Sequence, residues 1–175
     1  DILIEDVTVN AKVQNRIAVK NEFYSHIPAE ELRGKIPKEF DSYFKVSAVR
    51  HPLDRLVSHY FWRIKRSEGS VDEFRNWLLN NPQAATENLD ITDIDGQSVI
   101  DFTIRYEDLE KDCLKLGELL GFGDQLWMTL KRVNAKAGSR PSHASAAKYF
   151  SGFHQGLDIV RALASREIER FNYDI

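Results

Sequence analysis

The sequence predicts an α/β domain, and three observations carry that prediction. An apolar run passes through a proline turn straight into an amphipathic helix, a second alternating run does the same, and the C-terminal segment is amphipathic. The first run, residues 43–49, contains Tyr43, Phe44, Val46, Ala48 and Val49, the composition of a buried strand. Arg50-His51-Pro52 ends it. Leu53, Leu56, Val57, Tyr60, Phe61 and Ile64 then recur at helical spacing over residues 53–65. In the second run, residues 98–105 alternate like a strand, and residues 109–120 carry the stripe Leu109, Cys113, Leu116, Leu119 and Leu120, which Gly121-Phe122-Gly123 stops. Residues 157–171 read as the final amphipathic helix.

The remaining elements are shorter. Pro28 followed by Ala29, Glu30 and Glu31 reads as a helix start with proline at the first position, running over 28–32 before Gly34. Residues 71–80 place Phe74, Trp77 and Leu78 on one helical face, and Asn80-Asn81-Pro82 breaks the pattern. A polar connection spans 83–96, a short helix is predicted over 127–133, and 134–145 form a loop rich in Ser, Ala and Gly. Residues 1–19 are of mixed pattern, with short β segments expected at 2–4 and 7–9. At 175 residues the chain fits a single domain, 1–175, with a central, mostly parallel sheet flanked by helices.

Composition narrows the function. Hydrophobic residues at 42% and charged residues at 29% exclude disordered and collagen-like classes. No apolar run approaches the roughly 18 residues of a membrane span, and no stretch resembles a signal peptide. A single cysteine, Cys113, excludes an internal disulfide, and no Asn-x-Ser/Thr sequon occurs, so a cytoplasmic protein is expected. A net charge of −3 excludes a uniformly basic nucleic-acid binder. The positive charge is instead concentrated. Lys45, Arg50, Arg55, Arg63, Lys65 and Arg66 face only Asp54 over 45–66, and Lys131, Arg132, Lys136, Arg140 and Lys148 face no acid over 125–156. Two such segments suit convergence on one small polyanion, or two solvated faces.

The richest constellation is Val49-Arg50-His51-Pro52-Leu53-Asp54-Arg55-Leu56-Val57-Ser58. Arg50 leaves the strand end, Pro52 sets the turn, and Ser58 lies about two turns into the helix. Ligands of open α/β sheets bind beyond the C-terminal strand ends, where a five-donor guanidinium and a hydroxyl suit a phosphate. A structural role is the alternative, with Arg50 paired to an acid such as Asp54 and Ser58 on the helix surface.

This segment, continuing through His59, Tyr60, Phe61 and Trp62, resembles the 3′-phosphate-binding motif of the PAPS-dependent sulfotransferases. A second hallmark of that family is similar to Arg105-Tyr106-Glu107-Asp108-Leu109, and Ser142-His143 through Tyr149 resembles its late nucleotide-covering loop. The ending Arg166 to Asp174 resembles its terminal helix. Coverage is about residues 24–175, and the flavour is that of the carbohydrate branch, resembling uronosyl 2-O-sulfotransferases. The resemblance implies a P-loop-type sulfotransferase fold and sulfuryl transfer from PAPS to an acceptor hydroxyl, of a small molecule or a saccharide, with no metal. It implies nucleotide contacts by Arg50 and Ser58, with Arg55 at the motif's second arginine and Lys136 and Arg140 in the late loop.

For the base that takes the acceptor proton, the resemblance points to His26, upstream of the first strand where the uronosyl branch carries a catalytic histidine; a lone histidine also serves surface or packing roles. Glu22 and Glu30 are weaker choices. His59, on the helix beside Ser58, reads as structural or substrate-facing. One departure is clear: no Pro-Lys turn rich in Gly, Ser and Thr, the family's 5′-phosphosulfate loop, occurs before Tyr24, and Pro37-Lys38 is followed by Glu39 and Phe40. The expectation is an N-terminally incomplete sulfotransferase domain. The alternatives are a non-catalytic nucleotide-binding or interaction module that keeps the 3′-phosphate site and, more weakly, a P-loop kinase-like phosphotransferase.

Overall fold

The computed structural model describes residues 23, 24, 26–65, 68–133 and 140–175. In chain order the elements are α1 (Ala29–Lys35), α2 (Pro37–Ser42), β1 (Val46–Val49), α3 (Pro52–Ile64), α4 (Val71–Asn80), β2 (Asp93–Ile94), β3 (Gln97–Ser98), β4 (Phe102–Arg105), α5 (Leu109–Leu119), α6 (Gln125–Leu130), α7 (Ala146–Phe150), α8 (His154–Leu163) and α9 (Ser165–Phe171). Short 3-10 turns occupy Pro82–Ala85, Leu89–Ile91 and Tyr106–Asp108. The chain divides into two compact units, residues 1–45 with 88–101 and residues 46–87 with 102–175.

The first unit contains α1, α2 and an antiparallel hairpin of β2 with β3. Its two-residue turn, Asp95-Gly96, has positive φ at both positions (52° and 76°), the requirement of a type I′ turn. Helix α1 starts one residue later than its proline suggests, with Pro28 at the N-cap, and runs through Gly34. Helix α2, with Pro37 at its first turn, has no counterpart among the predicted elements.

The second unit carries the α/β architecture. Strands β1 and β4 pair in parallel, with Val46 opposite Phe102 and Val49 opposite Arg105, and each runs into a helix, as the two predicted strand-to-helix transitions require. Helix α3 buries Leu56, Val57, Tyr60 and Phe61 against Phe74 and Leu78 of α4 and Tyr149, Phe150, Phe153 and Val160. Phe74 is the aromatic hub: its ring lies 5.5 Å from Tyr60 and 5.3 Å from both Tyr149 and Phe150, edge-on in each case. A capping box starts α4, Ser70 Oγ accepting from Glu73 N–H and the Glu73 carboxylate from Ser70 N–H. A second cluster packs Ile104 of β4 against Cys113 and Leu116 of α5.

Several expectations are corrected. The strand predicted over 43–49 begins only at Val46, and it is not fully buried, since Val46 and Ala48 are exposed. The strand predicted over 98–105 is two strands. Ser98 pairs back onto Asp93, and Asp101 turns aside to accept the Lys45 N–H at 2.7 Å, so only Phe102–Arg105 joins β1. The single helix predicted over 157–171 breaks at Ala164, where the carbonyl of Leu163 accepts from Glu87 N–H and the Glu87 carboxylate accepts from Glu167 N–H. Glu87 thereby supplies the anionic cap that a new helix start needs. Helix α7 follows the predicted loop, in a stretch to which no element is assigned, and α6 begins two residues before the predicted start. The expected β segments at 2–4 and 7–9 lie outside the described residues.

Candidate functional site

The parallel register places Arg50 and Tyr106 side by side, each one residue beyond its strand end. The Arg50 guanidinium lies over the Tyr106 ring, 4.0 Å from its centroid. His51 shapes the turn. Its Nδ1 accepts the Leu53 N–H at 3.3 Å, which leaves Nε2 to donate to the carbonyl of Asp174 at 3.1 Å, while its own backbone N–H donates to Glu107 Oε1 at 2.6 Å. Pro52 then opens α3 with its φ already helical. The tilted Tyr173 ring packs 4.9 Å from His51, and burial with the charge of Glu107 pushes its phenol up to about 12.

Within this frame Asp54 receives two guanidinium groups. Arg50 donates from Nε and Nη2 to Oδ2, and Arg140, from the late loop, donates from Nη2 to Oδ1 at 2.7 Å. Arg140 also donates from Nη1 to Ser58 Oγ at 2.8 Å and from Nε to the carbonyl of Ala144 at 2.7 Å. Residues 50, 54 and 58, spaced one helical turn apart, thus meet an arginine 82 positions after Ser58. Burial pushes the Asp54 carboxyl up, but the hydrogen bond from Arg140 and the charge of Arg50 outweigh it and leave the group below its ordinary value. The cluster holds two cations on one anion, and among the described residues no acceptor is found for the Ser58 proton. Its chemistry is that of an anion receptor at the C-terminal ends of parallel strands.

A family model described as the Sulfotransferase family matches residues 8–174. The chain belongs to the sulfotransferase family. Comparison with curated proteins and with solved structures returned no match. Family membership supports a sulfuryl-transfer function. No helix among the described residues is long and apolar enough to cross a membrane.

The other residues singled out in this sulfotransferase sequence fall elsewhere. Arg55 is turned away from the Arg50 cluster: it donates from Nη2 to Glu167 Oε2 at 3.0 Å and from Nη1 to the carbonyl of Thr86. Burial and the neighbouring Glu87 push the Glu167 carboxyl up against the pull of Arg55. His59 packs against Trp62 and Trp77, and burial with the charges of Arg63 and Arg55 holds its imidazole below the ordinary value, in keeping with a structural part. His26 belongs to the first unit, is exposed, and has φ 63°, an uncommon backbone for a non-glycine residue. Glu30 is exposed on α1, while Glu22 and Lys136 lie outside the described residues. Asp108 stands at the N-cap of α5 without a side-chain cap, and Glu107 holds the His51 N–H.

Sequence reasoning missed Tyr106 as the ring beneath Arg50. Its signal was present as a symmetry, since each strand-to-helix transition has one large side chain directly after the strand.

Proposed function

We propose that the chain is a PAPS-dependent sulfotransferase whose Arg50, Ser58 and Arg140 hold the 3′-phosphate of the nucleotide. The observation that carries this reading is the convergence of Arg50 and Arg140 on the single carboxylate of Asp54, next to the Ser58 hydroxyl. A phosphate dianion there meets excess positive charge and donors in a fork geometry matched to its oxygens. Arg55, engaged with Glu167, serves as a strut under the same helix.

PAPS, when bound, supplies the sulfuryl group that passes to an acceptor hydroxyl. The acceptor proton needs a base, which we assign to the exposed imidazole of His26 on its place upstream of β1, where the uronosyl branch that the sequence resembles carries a catalytic histidine. The same likeness favours a saccharide acceptor. Exposed Arg63 and Lys65 at the end of α3 suit an acidic glycan.

Calorimetry with adenosine 3′,5′-bisphosphate tests the nucleotide site. Arg50→Ala should weaken binding by about 1.5–3 kcal/mol, the scale of a charge-assisted hydrogen bond. Unchanged affinity removes the site. The second reading, a nucleotide-binding module without catalysis, is favoured by Pro37-Lys38, which opens α2 directly instead of a glycine-rich turn. Tight binding of the bisphosphate without sulfuryl transfer from PAPS to any glycan or small hydroxyl acceptor would select it.

A further inference from the structure

We propose that Asp54 is the positioning residue of the anion site: by taking one guanidinium on each oxygen it sets Arg50 and Arg140 in register and confers selectivity for a phosphate monoester at that place. This proposal rests on the nucleotide reading above and deepens it. Asp54 stands at the third position of α3, four residues after Arg50 and four before Ser58. Arg50 reaches Oδ2 with Nε and Nη2, and Arg140 reaches Oδ1 with Nη2. Arg140 is anchored further by the carbonyls of Ala144 and Asp54 and by Ser58 Oγ, and Arg50 by the face of Tyr106.

The two arginines come from segments 90 positions apart, and two like charges this close repel unless an anion lies between them. Asp54 is that anion before any ligand arrives. It spends only some of the donors: among the described residues no partner is found for Arg50 Nη1 or for the Ser58 O–H. The carboxylate therefore preorganises the donors instead of filling the place of the ligand, which lowers the ordering cost of binding. Asparagine cannot reproduce this. It presents one accepting oxygen and an NH2 that opposes the second guanidinium.

A carboxylate that merely balanced charge would behave in the opposite way, since its removal would raise the affinity of the site for any anion. The two roles separate on selectivity. The experiment is calorimetry on the full chain with adenosine 3′,5′-bisphosphate and with AMP, which lacks only the 3′-phosphate, read as the ratio of the two Kd values. Wild type should prefer the bisphosphate strongly. Asp54→Asn should lower that preference about tenfold, and in an Arg140→Ala background it should lower it no further. A preference equal to or above wild type in Asp54→Asn overturns the proposal and leaves the nucleotide site standing. A wild-type ratio near one removes the nucleotide reading and the proposal with it. Should Asp54→Asn not fold, Asp54→Glu, which keeps the charge and lengthens the arm, carries the same test: a smaller fall is expected, and an unchanged or higher ratio overturns the proposal.

Discussion

Two arginines five residues apart, Arg50 just before α3 and Arg55 within it, end in opposite electrostatic settings. Arg50 shares the single carboxylate of Asp54 with Arg140, so that cluster is positive by one charge. Arg55 pairs with Glu167, and Arg166 pairs with Glu87, whose other oxygen caps α9 beside them, so that cluster is balanced. The difference teaches where function lies. A charge-balanced cluster ties helices together, whereas one with a surplus cation suits an anion.

The comparison breaks most readily at Arg55. Arg55→Ala leaves Glu167, only 9% exposed, without its cation, and should cost about 3 kcal/mol in urea denaturation while leaving the preference for the bisphosphate over AMP intact. A loss under about 1 kcal/mol would place this pair among ordinary surface bridges. Arg140→Ala should do the reverse: bisphosphate affinity falls by about 1.5–2 kcal/mol, with stability changed less than at Arg55, and an unaltered affinity would take Arg140 out of the receptor.

Acid sharpens the contrast with a smaller effect. The Asp54 carboxyl is depressed in the fold, so it contributes stability that is present above its unfolded value of about 4 and lost as pH falls through its lower folded value. Glu167 is raised, so its contribution is full below its unfolded value near 4.3 and is lost as pH rises through its folded one. Denaturation followed from pH 7 to pH 3 should show Asp54→Asn losing the acid-side fall and Glu167→Gln losing the gain that precedes it. Parallel profiles in both variants would mean that the two carboxyls share one environment.

Local pattern made much of this legible. The apolar period of α3 and α5, the helical face of α4 with its Asn80-Asn81-Pro82 stop and the proline turn after β1 are encoded within a few residues each, and the structure follows them. The break at Ala164 had no such signal. Leu163, Ala164 and Ser165 are all compatible with a continuous helix, and the interruption is produced by Glu87, 77 positions before Ala164 in the chain. The same holds for β4, shortened by the Lys45 to Asp101 bond across 56 positions.

For the site, the sequence by itself determined that an arginine leaves a strand, that a serine follows two turns into a helix, and that the surrounding residues are those of a sulfotransferase. These are short-range facts, set by periodicity and by the few dihedral states of each residue. Only the tertiary structure decided that Arg140 and not Arg55 joins Arg50, and that Asp54 stands between them. The partner of a charged side chain is chosen by whatever the fold brings within about 4 Å, and for Arg55 that is a glutamate 112 residues away.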